Sequence, residues 1–532
     1  MATSSGELCR LDARALASGV RGGEFSAVDV VESHIERIEA VNPALNAVVV
    51  KRYGAAREEA READRRRWSG EPLGPLHGVP ITVKECIDVA GTPSSFGVSS
   101  HANDIAVRDS EYVARLRSAG AIVLGKTNLA QVLLYLESDN PLYGCARNPW
   151  DLERTPGGSS GGEGAIIALG GSPLGLGTDI GGSSRVPAAW SGVVGFKPTA
   201  GRMPDFGRGS ISLGQRAIAS QVGVFARTVG DVALGVEIAN GGALPSRLPP
   251  MPLRDFERVN LEELVIGYYT DDGTFDACSA AKRAVLDSVR WLERCGATLV
   301  PFSPPDVGHA MRLFFGILSG DGGKGVRRFL RGSRLDPRIA QLLTIIAVSA
   351  PMRALIQLIL QGTGRRRLAA LLDAYGDPSA DRHFTLVAEL MDYQARFQTV
   401  LDRGPGDRPV DAILSPPVSL PAFRHGASSE LGVAGAYALV YNVLGYPAGV
   451  VPVTRVRPDE EIATPRSSDK MDRVARDTER GSRGLPMAVQ VAARPFREDV
   501  AFAVMAALER AARTEPDYPD LGPLVSSFIQ RA

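Results

Sequence analysis

Neither charge sign is in surplus in this chain: Lys and Arg together number 60, Asp and Glu also number 60, and the formal net charge is zero. That excludes the chain-wide basic field with which proteins gather nucleic acid, so no nucleic-acid partner is expected. Cysteine is scarce. The five present (Cys9, Cys86, Cys145, Cys278, Cys295) are scattered, odd in number and without a C-x-x-C pair, which argues against a disulfide framework or a thiolate zinc site. No metal and no other cofactor is expected. The first twenty residues hold no apolar run of signal-peptide length, because Glu7, Arg10, Asp12 and Arg14 interrupt them. The protein is expected inside the cell. Histidine is scarce as well, with six in 532 residues.

Glycine beside serine is abundant. Gly157-Gly158-Ser159-Ser160-Gly161-Gly162 is followed by Thr178-Asp179-Ile180-Gly181-Gly182-Ser183, with Ser159 and Ser183 24 residues apart. Glycine lets a backbone approach a ligand closely and aim several N–H groups at one point. Two such clusters, each next to a hydroxyl, point to a serine nucleophile with a main-chain oxyanion hole.

Hydrophobic residues make up 44% and charged residues 23%, enough apolar material for a globular core. Residues 25–50 read as a helix capped by Ser26 and ended by Asn42-Pro43, then a strand over 45–50. A charged helix over 55–68, a strand over 78–83 ending before Lys84, a helix over 110–119 and a strand over 121–124 follow. This alternation predicts one large α/β domain, a central twisted mixed sheet covered by helices on both faces, spanning 25–520 after a lead-in over 1–24. Residues 250–410 read as mostly helical. Strands return at 410–414, 448–453 and 488–491, and the mixed-charge stretch 457–483 is expected to be an exposed insertion loop.

Three motifs compete. Gly120 to Thr127 fits G-x-x-x-x-G-K-[ST] literally, but its four intervening residues are Ala-Ile-Val-Leu, a strand where a phosphate cradle needs an open loop. A strand end is therefore expected, without nucleotide. Gly157-x-Ser159-x-Gly161 fits a nucleophile elbow, which requires a strand directly before the serine. The preceding residues 147–156 are polar and bounded by proline, and none of the six histidines has a distinguishing context. The third pattern joins Lys84 to Ser159 and Ser183. A buried lysine can lose its proton and serve as a base, with one serine relaying to another. A salt bridge from Lys84 to Glu85 or Asp88 remains the alternative.

Val79-Pro80-Ile-Thr-Val-Lys84-Glu85, the two serine clusters through Ser183-Ser184-Arg185, and Gly195-Phe-Lys-Pro-Thr199 together resemble the amidase signature family. Further segments, Gly125 to Asn128, Asn140 to Gly144, Tyr441 to Val453 and Gly484 to Gln490, are similar to the branch of that family that cleaves fatty acid amides. Ser184 and Trp190 depart from that branch, and its amino-terminal membrane segment is not expected here. The resemblance implies a hydrolase of lipid amides (fatty acid amides, N-acylethanolamines) that works through an acyl-enzyme. Ser183 would be the nucleophile, Ser159 the bridging serine with a cis bond from Gly158, and Lys84 the base. Main-chain N–H groups of Ile180, Gly181, Gly182 and Ser183 would form the oxyanion hole, with Asp179 and Arg185 shaping the turn. Leu133 and Leu136 match positions that line an acyl tunnel, though both also suit ordinary core.

The apolar stretch 339–360 has arginines before and after it. Spanning a bilayer takes about 20 apolar residues, and Pro351 with Arg353 divides this run into two shorter amphipathic pieces. Such pieces suit a bilayer interface, and the resemblance places a membrane-binding cap here, over 327–367. Packing in the core or at a dimer contact is the alternative, and the resemblance implies a homodimer. A general amidase of small or aryl amides, a glutaminase-type amidotransferase subunit, and a non-catalytic lipid-surface or nucleotide-binding protein are the competing functions.

Overall fold

The computed structural model describes residues 5–203, 211, 214–240, 251–372, 374–375, 378–404, 408–462 and 464–531. Its centre is built where apolar strands are too hydrophobic to face water on either side. β1 (Val48–Lys51), β2 (Pro80–Lys84), β3 (Ile122–Thr127), β4 (Leu174–Asp179), β5 (Val194–Lys197) and β6 (Gln221–Ala226) form one half of a mixed sheet. β7 (Val265–Tyr268), β8 (Thr298–Pro301), β9 (Ala412–Ser415), β10 (Ala448–Arg455) and β11 (Pro486–Ala493) form the other half. The eleven strands run in the order β1-β3-β2-β4-β6-β5-β10-β11-β9-β7-β8. Every residue of β2, β3, β4, β5 and β6 is buried, as expected for strands covered on both faces. The result is a single α/β domain with helices packed against the sheet.

Two registers matter for chemistry. β2 lies parallel between β3 and β4, which sets Lys84 opposite Thr127 and Thr82 opposite Gly175. The long connection 128–173 leaves β3 and returns to β4, carrying the first serine cluster over the ends of those strands.

Several expectations are corrected. The first long helix is Ala27–Leu45, with the predicted Ser26 cap completed by Asp29 in a capping box. It runs through Pro43 rather than ending there. The Asn42 side chain accepts the Ala47 and Val48 N–H groups just beyond, so chain reversal is stabilised after the proline. Of the expected lead-in over 1–24, the described residues 5–24 are part of the domain: Ala13–Gly22 is a helix whose Ala13, Leu16 and Val20 are buried in the common core. At the other end Leu521–Arg531 is also a helix, with Leu524 and Phe528 buried. The stretch 457–483 is not an exposed loop. It holds the helix Lys470–Glu479 with Met471 and Ala475 buried, because its charges pair with one another and with the body. Arg466 binds Glu479 at 2.5 Å and Lys470 binds Glu430 at 2.5 Å. Gly120 to Thr127 forms β3, so no phosphate loop exists there. Strands β7 and β8 inside the mostly helical 250–410 were not anticipated.

The 339–360 stretch folds as two helices, Pro337–Ala347 and Ala350–Gly362, with Pro351 in the first turn of the second. Ile339 and Leu343 turn inward, whereas Met352, Leu355, Leu358 and Ile359 are at least half exposed. Among the described residues, no helix is long and apolar enough to cross a membrane.

Candidate active site

Lys84 ends β2 and is fully buried. Its Nζ lies 2.7 Å from Ser159 Oγ and 2.8 Å from Thr178 Oγ1. It makes no salt bridge with Glu85, whose carboxylate accepts the Ser95 and Phe96 N–H groups instead, nor with Asp88. Burial lowers the amine from 10.5 to about 8, against the opposing pull of Cys86, Asp179 and Glu163. Removing a cation from water favours its neutral form, and a neutral amine against a hydroxyl is a base in position.

Ser159 sits in the turn before the helix Gly161–Ala168, and the Gly158–Ser159 peptide is cis. No strand precedes it, so the elbow geometry is absent. The loop after β3 wraps this turn. Ala130 N–H donates to the Ser159 carbonyl at 3.3 Å, and the Ser138 hydroxyl donates to the Gly157 carbonyl at 2.9 Å.

Ser183 heads the turn between β4 and the helix Arg185–Ser191 and is only 7% exposed. Its turn meets that of Ser159 through the backbone, the Ser160 N–H donating to the Ser183 carbonyl at 3.2 Å. No hydrogen bond joins the Ser159 and Ser183 hydroxyls among the described residues. Lys84 and Ser159 are thus brought into contact, and Ser183 lies on the adjoining turn without a side-chain link to them.

Four N–H groups were expected in the oxyanion hole. Those of Ile180, Gly181 and Ser183 have no protein acceptor among the described residues. The N–H of Gly182 differs, because it donates to Asp179 Oδ1 at 2.8 Å. Asp179 holds the turn shut from below and takes one of the four donors for itself. Gly182 has φ 105°, a region in which a side chain is strained, so the turn depends on glycine there. Asp179 in turn is gripped by Arg185, at 3.0 Å from Nε and 2.9 Å from Nη2. Burial alone would raise its carboxyl, but Arg185, Lys197 and the Asn442 amide hold it well below the usual carboxylate range. The guanidinium also reaches Gln490 Oε1 and the Ala438 carbonyl at 2.7 Å each, and Asn442 Oδ1 at 2.5 Å.

Leu136 is partly buried and belongs to the loop around Ser159, and Leu133 lies on the same loop with φ 62°. A cavity of about 890 Å³ is lined by Trp150, Arg455, Arg483, Arg513 and Tyr518. It includes neither leucine and neither serine, so this opening is not the one next to the chemistry. No histidine bonds either serine. His34 is bound to the Val30 carbonyl, His77 to that of Ala63 and His425 to that of Leu152.

Sequence reasoning missed Thr178, Glu163, Asn442 and Gln490. Thr178 and Glu163 stand inside the serine-cluster segments, where strand alternation and helix position were the available signals. Asn442 and Gln490 meet Arg185 across more than 250 residues of chain, which no local pattern reveals.

Comparison with known proteins agrees with this architecture. The Amidase family profile matches residues 29–501. Fatty-acid amide hydrolase 1 of Sus scrofa is 35% identical over 503 residues, 93% of this chain and 84% of that one. Fatty acid amide hydrolase 1 of Caenorhabditis elegans is 32% identical over 94% of this chain and 88% of its own. Among solved structures, a fatty acid amide hydrolase superposes with a TM-score of 0.83 at 24% identity, covering 96% of this chain and 86% of that one. Fold and kinship define an enzyme that hydrolyses amide bonds. The chain belongs to the amidase family.

Proposed function

We propose that this enzyme cleaves lipid amides, fatty acid amides and N-acylethanolamines, to a free fatty acid and an amine. Ser183 attacks the carbonyl, Ser159 relays its proton, and Lys84 accepts it as a neutral amine. The observation that carries this reading is the buried contact of 2.7 Å between Lys84 Nζ and Ser159 Oγ, beside a turn with unengaged N–H groups. The link from Ser183 to Ser159 forms with substrate bound, since catalytic hydrogen bonds often tighten only in the complex.

The oxyanion is received by the N–H groups of Ile180, Gly181 and Ser183. One such donor is typically worth about 2.7–4 kcal/mol in the transition state. The relay then reverses and Ser159 protonates the departing amine. Water repeats the sequence on the acyl-enzyme.

The lipid part rests on kinship to the pig and nematode enzymes and on the apolar face of Ala350–Gly362. Met352, Leu355, Leu358 and Ile359 there are 51%, 50%, 67% and 55% exposed, with Arg365 and Arg366 directly after. That face suits a bilayer interface, with the Arg366 head among the phosphates, while Arg365 lies 3.8 Å from Glu430 Oε1. Leu133 and Leu136 would line the acyl path, and a homodimer would set two such faces on one membrane. Hydrolysis of amides graded in acyl length, with and without anionic liposomes, tests it. Long acyl chains should be preferred and liposomes should raise the rate. Good turnover of short aryl amides with N-acylethanolamines untouched would contradict it.

A further inference from the structure

Glu163 is fully buried in the first turn of the helix Gly161–Ala168, and the relay described above makes no use of it. Both of its oxygens are engaged. Thr82 Oγ1 donates to Oε2 at 2.7 Å and Thr127 Oγ1 donates to Oε1 at 2.7 Å. These two threonines are placed by the sheet around Lys84. Thr82 lies two residues before Lys84 on β2, so both side chains leave the same face, and Thr127 is the register partner of Lys84 on β3. The carboxyl group fills a slot that a glycine leaves open: a Cβ at Gly175, the register partner of Thr82, would lie 2.0 Å from Oε2. Strand register, two hydroxyls and one missing side chain together fix this acid over the face that carries the base.

We propose that Glu163 is a positioning residue for the relay, setting the proton affinity of the Lys84 amine through space without touching substrate or either serine. The inference rests on the reading of Lys84 as the base.

The other acidic groups that face Lys84 are accounted for. Cys86, next along from β2, is raised by burial to about 11 and stays a thiol at neutral pH. Asp179, at the end of β4, is neutralised by Arg185 at 2.9 Å. On β3 the Lys126 amine turns away to the Ser94 hydroxyl at 3.0 Å, and Glu85 is held by backbone N–H groups. No salt bridge reaches Glu163 among the described residues, and unlike Glu85, whose oxygens take the Ser95 and Phe96 N–H groups, its oxygens take only the two threonine hydroxyls. Burial pushes its carboxyl well above the usual range, against the two threonine hydroxyls and Lys84.

The consequence is a base kept from becoming too weak. Full burial alone drives the Lys84 amine down, and an acid of adjustable charge nearby draws its proton affinity back up. When Glu163 is ionised it holds the proton on Lys84. A glutamine keeps both oxygen and size but cannot do this, so the free amine appears at lower pH and is a poorer acceptor.

The rate of Ser183 labelling by a fluorophosphonate, followed against pH, reads this directly and needs no assumption about the natural substrate. The wild type, Glu163→Gln and Thr82→Val are compared, with folding checked by circular dichroism. In Glu163→Gln the midpoint of the rise with pH should fall, by less than the roughly one unit that removing a fully ionised neighbour gives, because burial keeps this carboxyl partly protonated over the same range. The limiting rate should fall by up to about threefold, as a weaker base requires. Thr82→Val removes one hydroxyl from the carboxylate, favours its neutral form, and should move the midpoint the same way by less. It keeps the test open if glutamine does not fold. Coincident midpoints in the folded variants, or an upward shift, would overturn the inference while leaving the relay intact. Wild-type labelling that does not rise with pH would instead overturn the role of Lys84, and this inference with it.

Discussion

Asp179 and Arg185 form a two-pronged ion pair with no solvent exposure, directly beneath the turn that carries Ser183. The pair does more than neutralise itself. Asp179 also takes the N–H groups of Gly182 and Ser184, at 2.8 and 3.2 Å, so the shape of the turn and the charge balance of the core are one arrangement. Breaking one partner of a buried pair typically costs about 3–5 kcal/mol, because the other charge is stranded.

Arg185→Met should therefore lower unfolding stability by about that amount in guanidinium titrations at neutral pH. The folded carboxyl of Asp179 titrates below its unfolded value of 3.8. Its contribution is thus fully present above that value and is lost as the pH falls through the folded one. A loss below about 1 kcal/mol, the range of a surface pair, would contradict the role given to Arg185.

Activity should rise with pH through about 8, where burial has placed the Lys84 amine, and reach a plateau above it. The sign follows from the base being competent only when neutral. Lys84→Ala should reduce kcat/KM by about 10²–10⁴, the usual worth of a positioned base. Initial-rate profiles of both enzymes check this, and a flat wild-type profile would count against it.

Thr178→Val removes the second contact of the Lys84 amine, at 2.8 Å, and leaves Ser159 in place. A single hydrogen bond is typically worth 0.5–1.5 kcal/mol, so kcat should drop roughly fivefold with KM little changed. Steady-state kinetics on one soluble amide separate the two constants. A change confined to KM would assign Thr178 to substrate binding.

Leu355→Asp with Leu358→Asp should weaken co-sedimentation with anionic vesicles by at least about tenfold, since each leucine buried in lipid contributes roughly 1.5–3 kcal/mol. Turnover of a short soluble amide should be unchanged, because these residues are half or more exposed on the outer face of the helix Ala350–Gly362. Equal vesicle binding by the double variant would show that this face serves another purpose.

Much of the fold was legible because its signals are local. Ser26 announces a helix N-cap, and runs such as Pro80 to Val83 announce buried strands. Mixed charge misled over 457–483: Arg466 and Glu479 look solvated in sequence, but they are thirteen residues apart and pair inside the protein. The contact of Lys84 with Ser159 was legible because a glycine-rich turn and a lysine at a strand end are compact patterns. The commitment of the Gly182 N–H to Asp179 was not, because which donors remain free depends on where a neighbouring carboxylate points. The clamp on Glu163 depends on strand register between β2, β3 and β4, and no single segment contains it.

The central claim is that the hydroxyl of Ser183 forms the covalent bond to the acyl group. Mass spectrometry of peptides from fluorophosphonate-treated enzyme tests it most directly. A single adduct on the peptide holding Ser183, absent together with turnover in Ser183→Ala, is the predicted result. An adduct on another residue, or a Ser183→Ala enzyme that still hydrolyses amides at the wild-type rate, would contradict it.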